Sequence, residues 1–287
     1  MKNENKVLAC VDQSRFAEYV ADHAAWAARR MDAPLEFLHV IDRDPGKDSA
    51  QDHSGAIGID AQQDLLARLA EQDEARSRQA REQGRIFLNR LRERALAAGA
   101  TQVDVRQRHG ELEETLAEQA QGVRLLVLGR RGESADATQR ELGRNVERVV
   151  RALNRPILAI AEDFRQPRRV MIAFDGGSVT RRGVEMVAGS PLLRGLPISL
   201  LMSGKDRPDT RKQLDWASST LQAAGFETTV ALVPGDAQTV IATAVKEQAI
   251  DMLVMGAFGH SALRSLLLGS KTTELLRSSR IATLLLR

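Results

Sequence analysis

Short runs of apolar residues recur along the chain, and between them the apolar positions spread out to a helical spacing. The first run, residues 7–11, ends in Asp12, after which Phe16, Val20, Ala24, Ala27 and Met31 share one helical face. Further strands are predicted over 35–40, 102–106, 124–128 and 156–160. Helical material is predicted from about Gln62 to Ala98, over 111–120 and over about 137–152. The pattern then restarts, with strands near 170–174, 197–202, 227–232, 251–255 and 282–286. Uninterrupted apolar strands are buried on both faces, so strands alternating with helices predict α/β architecture, a parallel sheet covered on both sides. Right-handed crossovers then place the strand C-termini, and any ligand, along one edge.

The restart is an internal repeat. Val7–Val11 followed by Asp12 has its counterpart in Val170–Phe174 followed by Asp175. Leu125-Leu-Val-Leu-Gly129-Arg-Arg-Gly132 matches Met252-Leu-Val-Met-Gly256-Ala-Phe-Gly259. A glycine and an acid precede each of these, Gly110-Glu111 and Gly235-Asp236, and each copy closes on an apolar strand. Asp12 and Asp175 are 163 positions apart but Gly129 and Gly256 only 127, so the first copy carries 36 more residues. The polar stretch Asp42 to Asp60 and the long helical pattern beyond it account for them. From Glu71 to Gln83 that pattern is nearly all polar, a solvated protrusion or a partner-binding arm. The polar segment 162–168 divides the copies into 1–162 and 168–287.

Length and composition agree with two units. At 287 residues the chain exceeds most single compact domains, and 43% hydrophobic with 28% charged residues is a globular balance. No apolar run approaches the roughly 20 residues of a membrane helix, and the start of the chain meets Asp12 too soon for a signal-peptide core. Cys10 is the single cysteine, which excludes an internal disulfide. The chain reads as soluble and cytoplasmic. A net charge of +3 and 3% aromatics give no support to nucleic-acid binding, which needs stacking rings beside a basic groove.

Candidate chemistry sits in the second copy. Gly256-Ala-Phe-Gly259, nine further residues and then Gly269-Ser270 form G-x2-G-x9-G-S, beginning where a strand ends and leading into a helical pattern with Leu275 and Leu276. Glycines let backbone amides approach phosphates, and a helix N-terminus adds free N–H groups and a favourable dipole. Ser270 and Thr272 offer hydroxyls to the same oxygens, and Asp175 lies on the same edge. Glycine averages about 7% of residues, so three fixed glycines plus Ser or Thr arise by chance in roughly 1% of chains this long.

At these residues the chain resembles the universal stress protein family, over essentially its whole length, as a tandem two-domain member. The resemblance implies two five-stranded parallel-sheet domains of the adenine nucleotide alpha hydrolase-like type. It further implies that they pack as a pseudo-dimer with strands 156–160 and 282–286 at the contact. It implies ATP, with or without magnesium, as ligand: Asp175 at the adenosine, and Gly256, Gly259, Gly269, Ser270 and Thr272 around the phosphates. Ala173, Met202, Met255 and His260 are their neighbours by the same resemblance.

The first copy departs from this pattern. Ten residues rather than nine separate Gly132 from Gly143, and Arg144 and Val146 replace the hydroxyls. Arg130, Arg131, Arg140 and Arg144 read either as an anion-attracting set or as a solvated basic face. Gly269-Ser-Lys-Thr272 lacks the frame of a P-loop. The five histidines show no metal-ligand spacing; His39 reads as an interior histidine, Asp236 as a helix N-cap and Cys10 as a core residue. The chain thus reads as a nucleotide-binding regulatory protein of the stress response. A slow ATPase or autophosphorylating protein and a nucleotide-independent interaction scaffold stand as alternatives. An unidentified protein partner and a further homodimer also stay open.

Overall fold

A computed structural model of the chain describes residues 5–41, 59–130, 149, 153, 155–161, 163–256 and 281–286. The first copy supplies β1 (Lys6–Cys10), α1 (Ala17–Met31), β2 (Leu35–Ile41), α2 (Ile59–Ala97), β3 (Val103–His109), α3 (Leu112–Gln119), β4 (Val123–Gly129) and β5 (Ile157–Ile160). The second supplies β6 (Val170–Ala173), α4 (Ser178–Gly189), β7 (Ile198–Ser203), α5 (Pro208–Ala223), β8 (Thr228–Val233), α6 (Ala237–Glu247), β9 (Met252–Gly256) and β10 (Ala282–Leu286). The expected helix over 137–152 falls largely outside the described residues; Val149 is helical and buried, and its carbonyl accepts from the Leu153 amide at 3.0 Å.

All ten strands form one sheet in the order β3-β2-β1-β4-β5-β10-β9-β6-β7-β8. Pairing is parallel within each copy, with Val7 opposite Leu35 and Ala173 opposite Met255. The copies join where β5 and β10 run antiparallel, Leu158 opposite Leu284 and Ala159 opposite Thr283. The parallel sheets expected from the repeat are therefore present, and so is the contact of the last strands that the family resemblance implies.

Alternate residues of each strand feed two core layers, as the pleat requires. Val7, Ala9, Phe37, Val127, Ile172 and Leu284 pack on one face under α1, α2, α4 and α5. Leu8, Leu38, Leu126, Met171, Leu253 and Leu285 pack on the other, against α3 and α6. Both layers run without a break through the two copies. The extra length of the first copy shows in α2, 39 residues against 16 for its counterpart α5. Its C-terminal part is seated through buried Leu88, Leu91 and Ala95 and through Arg94, which grips Asp22 of α1 at 2.6 and 2.8 Å. Side chains described between Glu74 and Arg81 are almost all exposed, as the polar sequence there predicts.

Three further contacts tie the copies together. Arg30 of α1 donates to the carbonyls of Leu192, at 3.0 Å, and Arg194. His23 of α1 meets the Phe164 ring edge-on at 4.9 Å, in the segment between the copies. Arg130, just past β4, is buried and donates through one Nη2 to the Ile281 carbonyl and the Thr283 hydroxyl, both at 2.6 Å. It is not a solvated basic residue; it holds the start of β10.

Two outcomes follow from these contacts. Arg130→Ala removes a charged donor from two buried oxygens and should cost about 3 kcal/mol, while Arg130→Lys restores only part; denaturant titration checks both. His23 is buried, and burial pulls its pKa below the usual histidine value, against the opposing pull of the Tyr19 carbonyl and Asp22. The unfolded chain therefore binds a proton that the folded chain resists, and stability should fall as pH drops below about 6.5. His23→Gln should flatten that slope between pH 7 and 5 in thermal unfolding.

Candidate functional site

The order of strands reverses direction at β6. From it the chain winds outward to β7 and β8, while β9 and β10 lie on its other side. In open α/β sheets, ligands bind at such a switch point, outside the strand C-termini. Here β6 and β9 end side by side: Ala173 pairs with Met255, Asp175 leaves β6 two residues on, and Gly256 is the last residue of β9.

The turn after β6 is held by its own side chains. Asp175 Oδ1 accepts from the Gly177 amide at 2.8 Å and from the Thr180 hydroxyl at 2.5 Å. This fixes the carboxylate beside the start of α4, whose N-cap Gly177 offers no side-chain acceptor, so that the helix dipole favours its charge. Gly176 has φ +76°, which a side chain resists, and a Cβ there would also meet the Gln213 amide. Arg181 donates from Nε to the Gly176 carbonyl at 3.0 Å and lies 5.2 Å over the Trp216 ring, which in turn stacks on Phe174.

At Gly256 the end of β9 lies against the first turn of α4. A Cβ on it would lie 3.2 Å from Val179 Cγ1 and 3.3 Å from Thr180 Cγ2. Thr180 thus touches both expected site residues, holding Asp175 with its hydroxyl and closing on Gly256 with its methyl. Sequence reading missed Thr180; the available signal was a β-branched hydroxyl five residues after Asp175, in the first turn of the following helix.

On the β7–β8 side, the Ser203 hydroxyl donates to the Gly235 carbonyl at 2.7 Å. Asp236 caps α6 by accepting from the Thr239 amide at 3.3 Å, the role its position predicts. Ala173, Met202 and Met255 are all buried. Ala173 and Met255 belong to the core layer under α6, whereas Met202 packs in the opposite layer. Gly259, His260, Gly269, Ser270 and Thr272 lie outside the described residues, as do Arg131, Gly132, Arg140, Gly143 and Arg144 of the first copy.

The first copy builds the same edge from other residues. Register places Cys10, Leu128 and Gly129 where the second copy has Ala173, Met255 and Gly256, and His39 where it has Met202. Asp12 Oδ1 accepts from the Ser14 hydroxyl at 2.5 Å and from the Ser14 amide at 3.2 Å. His39 is buried, its Nδ1 3.0 Å from the Val11 carbonyl and its ring edge-on to Phe87 of α2 at 5.6 Å, the interior histidine its strand position predicts. Burial pushes the Cys10 thiol up to about 12, with Glu36 adding to the rise, so it stays protonated and unreactive.

Among the described residues no group of three or more His, Cys, Asp or Glu side chains could hold a metal ion. Nor, among them, is any helix long and apolar enough to cross a membrane.

Comparison with known proteins places this geometry. The model of the universal stress protein family matches residues 4–161 and again 167–287. A universal stress protein of Synechocystis is 32% identical over 290 residues, covering all of both chains. The crystal structure of a universal stress protein from Archaeoglobus fulgidus superposes with a TM-score of 0.67 at 17% identity, over 99% of this chain and 96% of that one. A universal stress protein solved in complex with cAMP matches 43% of this chain, and 98% of its own length, at 21% identity and a TM-score of 0.37. Two family matches in tandem, covering nearly every residue, make this chain a member of the universal stress protein family.

Proposed function

We propose that the second copy, residues 168–287, binds ATP at the β6–β9 edge and that the protein works as a cytoplasmic nucleotide-dependent regulator. The observation that carries this reading is the convergence of Asp175, Thr180 and Gly256. One hydroxyl holds the carboxylate, and the methyl of the same side chain, with Val179, would crowd a Cβ at the end of β9. Asp175 is the group for an adenosine amino or hydroxyl donor. Gly256 opens the G-x2-G-x9-G-S segment, whose Gly259, Gly269, Ser270 and Thr272 supply phosphate donors, with Ala173, Met255, Met202 and His260 around them. The nucleotide acts as a ligand that biases conformation or partner binding. Magnesium would arrive with the triphosphate.

The first copy, residues 1–162, serves in this reading as a scaffold without an ATP site. Its motif has altered spacing and no hydroxyls, and Arg130 is committed to the second copy.

Calorimetric titration of the full chain should give close to one ATP per molecule. Substituting Gly259 or Gly269 by alanine should weaken binding by a hundredfold or more, because several charge-assisted contacts of about 1.5–3 kcal/mol each depend on backbone reaching phosphate. The same change at Gly132 or Gly143 should leave affinity unchanged. Unaltered affinity in well-folded Gly259 and Gly269 variants would sink the assignment. Two equivalent sites would contradict the division between copies.

Thr180→Val keeps the packing against Gly256 and removes the hydroxyl that orients Asp175. It should weaken ATP about tenfold, the loss of about 1.4 kcal/mol in hydrogen bonding, with the melting temperature little changed. Phosphate release by purified protein, compared with the Gly269 variant, separates a pure ligand site from a slow ATPase.

A further inference from the structure

Among the described residues the outer edge of β8 is uncovered, and it is uncharged, unlike the opposite end of the sheet. β8 has β7 as its one neighbour among the described strands. Its sequence, Thr228-Thr-Val-Ala-Leu-Val233, contains no charge, no proline and no glycine. Val230 and Val233 are exposed at 46% and 37%. At the other end, β3 carries Asp104, Arg106, Arg108 and His109, with Arg106 held to Glu36 at 3.1 Å. Charges on an edge strand discourage pairing with another chain, and β8 has none of that protection.

The two strands that do pair edge to edge in this molecule, β5 and β10, are also uncharged. Their antiparallel register centres on Leu158 and Leu284, which occupy the same position in the two copies. The chain thus already contains one near-two-fold junction built from bare strand edges of this composition.

We infer that β8 pairs antiparallel with β8 of a second copy of this chain, continuing the sheet across a two-fold axis. The register follows from the backbone. The Glu227 and Val233 carbonyls accept from β7, at Ile198 and Gly204, so alternate residues 227, 229, 231 and 233 face inward. Thr228, Val230 and Leu232 therefore turn their amides and carbonyls outward, and among the described residues nothing bonds to them. A two-fold axis at Val230 makes Val230 pair with its own copy and Thr228 pair with Leu232 of the other. Every outward group then finds a partner, and no charge meets a like charge. Such self-complementarity is what an isologous interface requires, and with no charge to oppose its own copy β8 meets it.

The test is the mass of the full chain in solution, by light scattering after gel filtration or by sedimentation. Wild type should run at twice 31.5 kDa in the micromolar range. Val230→Pro removes an outward amide and leaves the ladder to β7 intact, a position where an edge strand tolerates proline. Val230→Lys places two like charges face to face at the axis. Both variants should run at 31.5 kDa with wild-type circular dichroism, whereas Val105→Lys on β3 should stay dimeric. Val230→Cys should cross-link to its own copy on mild oxidation, because directly bonded antiparallel partners sit about 5.5 Å apart at Cα, within disulfide reach. A wild-type monomer, a dimer that survives both Val230→Pro and Val230→Lys, or dissociation by Val105→Lys instead would each overturn the assignment.

Discussion

The antiparallel pairing of β5 with β10 decides the arrangement of everything else. Each copy alone is a parallel sheet that ends on an apolar, uncharged strand, and such a strand left open invites aggregation. Joining the two ends covers both, and it makes both core layers continuous across the molecule. It also turns the second copy over relative to the first. Strand C-termini of the first copy lie along one edge of the ten-stranded sheet, and those of the second along the opposite edge. The two potential ligand edges therefore face apart, and no single small ligand can bridge them. What lies beside the ligand edge of one copy is the beginning of the last strand of the other. Arg130 sits at that junction, past the C-terminus of β4, and its donors find the Ile281 carbonyl and the Thr283 hydroxyl where β10 starts. Its counterpart in the second copy is Ala257, which has no side-chain donor. A near-symmetric sheet is thus fastened by an asymmetric bond.

That bond uses one of the arginines that make the first motif look basic. Arg130 points one guanidinium nitrogen at the neighbouring copy. Around the same edge, Cys10 and His39 stand where the second copy has Ala173 and Met202. A larger side chain at the end of β1 and a histidine anchored to Val11 leave a differently shaped floor. The two copies share a sheet, an aspartate after the first strand and the motif glycines, and they differ at Cys10 and His39 against Ala173 and Met202 and at Arg144 and Val146 against Ser270 and Thr272.

Most of the fold was legible in the sequence because its signals are dense. Ten strand-like runs, alternating with helical spacing and repeating once, point to two parallel sheets with right-handed crossovers; the contact between the last strands followed from the family resemblance. Strand limits shifted by a residue or two, since apolar runs mark burial while the ladder of hydrogen bonds marks the strand. The close approach at Gly256 was legible as a glycine after a strand, but its partner Thr180 was not, because an isolated threonine in a helix has many ordinary uses. The burial of Arg130, against the solvated reading, was hidden for a related reason. It depends on a carbonyl and a hydroxyl about 150 residues away in sequence, and no local pattern announces them.

The long helix α2 and the altered first edge are physically one feature. The extra residues enter between β2 and β3, immediately beyond His39, and α2 returns along the sheet to place Phe87 against the His39 ring. His39 in turn is bonded to the Val11 carbonyl, one residue before Asp12. The second copy has no such clamp: Met202 occupies the equivalent place, α5 is short, and the turn at Asp175 is held from its own helix by Thr180 and Arg181. In the first copy the insertion braces the turn from outside, through a ring contact and a carbonyl. In the second the turn carries its own bracing and leaves its edge uncovered by an inserted helix. Lengthening one crossover thus changes the edge of the sheet as well as its face, which ties the size difference between the copies to their difference in chemistry.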